Sequence, residues 1–85
     1  MSYNGYENYQ TWAVALWLDN DESTSNIISD IIEHARSDYD AADQLRDIIE
    51  EMNPLADQAS MFTDILNNAL SDVNYLEIIE SHKEE

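Results

Sequence analysis

The chain has no cysteine, one proline, one glycine and only three lysine or arginine residues among its 85. Without cysteine there is no disulfide framework, no thiolate metal site and no cysteine nucleophile, and a cytoplasmic setting fits that usage. A single glycine leaves no serine framed by the two glycines of a nucleophile elbow. No apolar run approaches the ~20 residues that a bilayer span requires. The opening MSYNGYENYQ has no basic region followed by an apolar stretch, so no signal peptide is expected. With so few cations, the surface repels nucleic acid and anionic membranes.

What the chain has in excess is acid. Nineteen Asp and Glu give a formal net charge of -16. A magnitude of about 2–8 already serves solubility in a small domain, and the excess costs stability through self-repulsion. A surface of this kind attracts basic proteins or cations. Hydrophobic residues are 44% of the chain, near the globular norm, so the acidity does not make it compositionally disordered. Its length allows one domain, residues 1–85, with one core.

The apolar residues recur at helical spacing throughout. In Asn8–Glu22, NYQTWAVALWLDNDE, Asn8 is a candidate N-cap and a first helix is expected over about Tyr9 to Leu18. Tyr9, Trp12, Ala13, Leu16 and Trp17 share one face, and Val14 and Leu18 carry apolarity to the other. A helix apolar nearly all round is one that other elements surround. A second helix has the stripe Ile27, Ile28, Ile31, Ile32 and Ala35. A third begins near Asp40, with Ala41, Leu45, Ile48, Ile49 and Met52 inward, and ends at Asn53-Pro54 because proline disfavours helical geometry in the residue before it. Leu55 to Gln58 reads as a connector or a first helical turn. A fourth helix turns Phe62, Ile65, Leu66, Ala69 and Leu70 to one side, and a short fifth follows the cap candidates Ser71 and Asp72.

No stretch alternates as a strand, and Asn4-Gly5 has no strand before it. The expected fold is all-α: a single compact domain of about five short helices packed around the N-terminal tryptophan-rich helix. Residues 1–7 form an arm and residues 82–85 a frayed tail. The expected core is Trp12, Leu16, Trp17, Ile28, Ile31, Ile48, Phe62 and Leu66.

Among polar constellations, the third helix has Asp40, Asp43, Asp47 and Glu50 at spacings of three or four, with Glu51 beside them. Each step advances ~4.5–6 Å along a helix, comparable to the phosphate spacing of a nucleic-acid strand. The bland reading is a solvated helix face, but such faces usually mix signs and Arg46 is the only cation here. Asp30 and Glu33, on the outer side of the second helix, extend the acidic surface. Asp19, Asp21, Ser23 and Asp30 match part of a calcium loop, yet Thr24 stands where glycine is needed and position 12 lacks glutamate, so a helix cap is the preferred role and no metal or other cofactor is expected. His34 is placed at a core edge and His82 in the tail. No catalytic residues stand out, and a bundle of this size has little room for a substrate pocket, so the chain does not read as an enzyme. Tyr3, Tyr6 and Tyr9 either form an exposed aromatic edge or fold back over the core.

The segment NYQTWAVALWLDNDE resembles the signature of a family of small acidic proteins, mostly uncharacterised, from phages, mobile elements and microbial genomes, typically close to NYETWNVALWLDNDE. NPLADQAS (Asn53–Ser60) and LSDVNYLEII (Leu70–Ile79) also resemble its pattern, while Gln10 and Ala13 depart from the expected Glu and Asn. The resemblance implies a phage or mobile-element setting and no shared activity or catalytic residue. Acidity and setting together lead to an inhibitor of a host nucleic-acid-binding defence protein (anti-CRISPR or anti-restriction type) that presents a DNA-mimicking carboxylate surface in the host cytoplasm. Its partner is then a basic CRISPR effector or restriction enzyme, with no direct nucleic-acid or membrane contact. The alternative is a structural or self-assembling module, a homo-oligomer, whose acidity serves solubility only.

Overall fold

A computed structural model describes residues 3–55 and 58–84. Five helices follow one another: α1 (Tyr9–Asp19), α2 (Glu22–His34), α3 (Asp38–Met52), α4 (Met61–Ser71) and α5 (Tyr75–Lys83). The described residues contain no strand, so the all-α expectation holds. Each start is set by a short polar side chain that accepts a free first-turn amide: Asn8, Asp21, Ser37, Ser60 and Asn74. The fifth cap is Asn74, beyond both expected candidates, Ser71 and Asp72. Of the expected connector Leu55 to Gln58, Ala56 and Asp57 lie outside the described residues, as do Met1, Ser2 and Glu85 at the termini.

The centre of the fold is the packing of α3 on α5, with α2 against both and α1 against α2 and α5. Ile28, Leu45 and Ile79 are the largest fully buried apolar side chains, joined by Ile31, Ala41, Tyr75 and Ile78. The helix expected to be central, α1, lies at the side. It buries Thr11, Ala15 and Leu18 and turns Tyr9, Leu16 and Trp17 outward. Trp17 is 76% exposed and Leu16 41%, which corrects their assignment to the core; Trp12 is half-buried beneath Tyr3 and Tyr9. Two physical reasons select the slimmer face. Ala15 lets the α1 backbone approach the bundle closely, and the buried Thr11 hydroxyl accepts the Asn74 N–H at 2.8 Å, satisfying the cap residue of α5. Rolling the tryptophans inward would orphan that amide.

Phe62 is a second correction, at 65% exposed, with Met61 and Ile65 similarly open. Helix α4 takes no part in the extensive helix–helix contacts; it is moored at its ends, by Thr63 Oγ1 donating to the Leu55 carbonyl at 3.3 Å and by Leu70 packing on the core. Met52, expected inward, is exposed too. Ile48 packs half-buried against the core, and Leu66 is half-buried on α4. Ile28 and Ile31 are buried as expected.

The arm is stapled down. Asn4 (φ 49) and Gly5 (φ 93) form a tight turn closed by paired Tyr3–Tyr6 backbone hydrogen bonds, in the left-handed region that Asn-Gly tolerates. Tyr3 folds back edge-on against Tyr9, with centroids 5.3 Å apart. The Tyr6 hydroxyl shares a hydrogen bond with Ser81 at 2.9 Å, and Glu7 N–H donates to Glu77 at 3.0 Å. At the other end α5 runs to Lys83, into the stretch expected as a tail. His82 lies against α1 and α2, 3.1 Å from Ser29 Oγ and 3.9 Å from an Asp19 oxygen. His34, by contrast, is exposed, its Nδ1 2.9 Å from the Asp30 carbonyl.

Candidate functional site

Helix α3 carries six carboxylates and one cation in 15 residues. At about 100° per residue, Asp40, Asp43, Asp47, Glu50 and Glu51 fall within an arc roughly 100° wide, opposite Ala41, Leu45 and Ile49. The buried positions Ala41, Ala42 and Leu45 hold that side against the bundle, which fixes the carboxylate side outward. Asp43, Asp47, Glu50 and Glu51 are exposed, as are Asp30 and Glu33 on α2, and Asp40 is partly covered.

The arc divides into two halves with different electrostatics. All three cations of the chain pair with carboxylates in the first half of α3: Lys83 with Asp38 at 2.8 Å, Arg46 with Asp43 at 3.2 Å, and Arg36 with Asp40 at 3.9 Å. Asp40 also accepts the Arg36 N–H at 3.0 Å and the Gln44 amide at 3.1 Å, so it serves the α2–α3 corner. Such exposed pairs each contribute about 0–1 kcal/mol, but they cancel charge locally. Among the described residues no lysine or arginine pairs with Asp47, Glu50 or Glu51. Sequence spacing reveals the row but not this division, because two of the three cations come from other elements.

Beside the second half lies an open groove of about 700 Å³, lined by Arg46, Glu50, Asn53, Leu70, Val73 and Tyr75 among others. Burial raises the Tyr75 phenol above its ordinary pKa. The Glu50 carboxylate raises it further and Arg46 partly offsets this. Tyr75 is 8% exposed and lines the groove together with one carboxylate, Glu50, and one cation, Arg46. The groove was not foreseeable from periodicity, since it forms where α4 leaves the bundle.

The residues matching a calcium loop have separate tasks. Asp21 caps α2, accepting both the N–H and the hydroxyl of Ser23 at 2.9 and 2.8 Å; these bonds hold its carboxyl below the usual aspartate range. Asp19 faces His82, and Asp30 lies within α2. Among the described residues no group of three or more histidine or carboxylate side chains is arranged to hold a metal.

The fold and this surface define a small acidic all-α protein with a dense carboxylate arc on α3. No helix is long and apolar enough to cross a membrane among the described residues. The chain belongs to a family of unknown function (DUF7249), matched over residues 1–85. No curated protein and no solved structure matches it.

Proposed function

We propose that this protein is a phage or mobile-element inhibitor that occupies the nucleic-acid site of a basic host defence protein, of the anti-restriction or anti-CRISPR kind, acting by binding rather than by catalysis. The observation that carries the reading is the uncompensated run Asp47, Glu50 and Glu51 at the end of a continuous outward carboxylate arc. From Asp40 to Glu51 the helix presents one carboxylate per ~4 Å of axis on average, against one phosphate per ~3.4 Å for a DNA strand. A basic groove built for phosphates meets a similar charge density here, on a scaffold that already holds the charges in place. Solubility alone gives no reason for all three ion pairs to fall on Asp38, Asp40 and Asp43 and none on Asp47, Glu50 or Glu51.

The test is capture from host lysate, followed by competition with duplex DNA. The reading requires that captured proteins bind nucleic acid and that DNA displaces them. Capture that DNA leaves untouched contradicts it. A second reading, a non-enzymatic self-assembling module, is favoured by the apolar side chains left outside on α1 and α4; it requires self-association together with no captured protein that DNA displaces.

A further inference from the structure

The longest stretch free of charge in this acidic chain, Asn8 to Leu18, is also the stretch whose bulkiest side chains are turned to solvent. Tyr9, Leu16 and Trp17 project outward from α1, with Trp12 and the folded-back Tyr3 filling the surface between them. Ala13 lies at the middle of this face, and the residues four before and four after it are Tyr9 and Trp17. Positions four apart share a helix face. A two-fold axis through Ala13 therefore sets Tyr9 of one copy against Trp17 of the other, twice, with the smallest side chain where the helices cross. We propose that the outward face of α1 is an isologous homodimer interface, occupied by the same face of a second copy.

Area and charge both support a second copy as the occupant. Scaled to the 150–250 Å² of a large aromatic side chain, the exposed parts of Tyr3, Tyr9, Leu16 and Trp17 amount to about 450 Å² per copy. Two copies then bury roughly 900 Å² through these four side chains alone, and Trp12, Ala13 and the flanking polar atoms carry the pair past the ~1,000 Å² expected of a specific contact. Homodimer interfaces resemble a core cut in half, depleted of charge and rich in aromatics. Each copy carries -16 overall, so a close contact between copies is cheaper through a face whose side chains, Tyr9, Ala13, Leu16 and Trp17, are uncharged. The apolar side of α4 is less suited to a second copy, since Glu50 stands across the groove that adjoins it.

Sedimentation of the full chain across protein concentration and salt tests this, with Trp17→Glu and Ile65→Glu as variants. The wild type is expected to shift from 9.8 kDa to twice that mass. The shift should come at lower protein concentration in about 0.5 M salt than in 0.05 M, because screening weakens repulsion between like-charged copies. Tryptophan emission should move to shorter wavelength over the same range. Trp17→Glu should keep its helical spectrum and lose the dimer at least tenfold, while Ile65→Glu dimerises as the wild type does. A protein that stays monomeric at every concentration and salt overturns the proposal. So does a Trp17→Glu variant that dimerises normally, or a dimer lost in Ile65→Glu and kept in Trp17→Glu. Trp17→Glu leaves the α3 carboxylates intact, so the DNA-competition test of the acidic face can be read on it separately.

Discussion

Replacing Thr11 is expected to harm the fold far more than replacing Trp17, although tryptophan is the larger residue. Thr11 is fully buried, and its hydroxyl is the acceptor for the backbone N–H of Asn74, which itself caps α5. Thr11→Val keeps the shape and removes the acceptor, leaving a part-buried amide without that partner at a cost of about 1–3 kcal/mol. For a domain of this size each 1 kcal/mol moves Tm by ~4–8 °C, so a fall of about 8–16 °C is expected at the middle of that range. Thr11→Ser, which retains the oxygen, should recover most of it. Trp17→Ala removes a side chain that is 76% exposed, and surface changes of that kind stay within about 0.5 kcal/mol. Alanine's better helix propensity offsets part of even that. Melts followed by circular dichroism should be run at low protein concentration, where any self-association is absent. A Trp17→Ala loss above ~2 kcal/mol in the dilute monomer, larger than that of Thr11→Val, would refute this placement of α1.

Further outcomes follow from the core, the caps and the titrating groups. Ile79→Ala, at the centre of the α3–α5 packing, should cost ~2–5 kcal/mol in chemical denaturation. Asn8→Ala removes both the cap of α1 and the amide that donates to the Asp72 carbonyl at 2.7 Å, so it should exceed the ~1 kcal/mol of an ordinary cap loss. The Tyr75 phenol is raised in the folded state, so its contribution is complete below the ordinary tyrosine pKa of ~10 and is lost as pH rises through the raised value. Tyr75→Phe should therefore flatten the alkaline fall in Tm. The Asp21 carboxyl is lowered, so its capping contribution is present above the ordinary aspartate value and is lost as pH falls through the depressed one. Wild type and Asp21→Ala should differ in Tm at neutral pH and converge in strong acid.

The helices were legible in the sequence because each carries an apolar stripe and most begin at a recognisable cap; Asn8, and Asn53-Pro54 as a stop, stand as read. The facing of α1 was not legible, and the reason is physical. A helix apolar nearly all round does not declare which side goes inward, and residue size misleads where a close approach through Ala15 and a buried hydroxyl at Thr11 decide the matter. The same limit applies to α4. Phe62 and Ile65 sit at sound core spacing, but whether a stripe finds a partner depends on where the preceding segment delivers the helix. At the candidate site, the carboxylate row on α3 could be read from spacing. Its division into a neutralised and a bare half could not, since Arg36 and Lys83 arrive from outside α3.

The acidic-face account stands on that division, and association kinetics with a captured basic partner test it directly. Two triple variants are to be compared with the wild type across salt: Asp47→Asn, Glu50→Gln and Glu51→Gln in the bare half, and Asp38→Asn, Asp40→Asn and Asp43→Asn in the paired half. Exposed charges act collectively in steering, and each one alone is worth only ~0.2–1 kcal/mol. Neutralising the bare half should slow association at low salt, flatten its salt dependence and remove the competition with duplex DNA, with the helical spectrum unchanged. Neutralising the paired half should alter association much less. Equal effects from the two halves, or wild-type association after the bare half is neutralised, would contradict the account and leave the acidic arc a solvated surface.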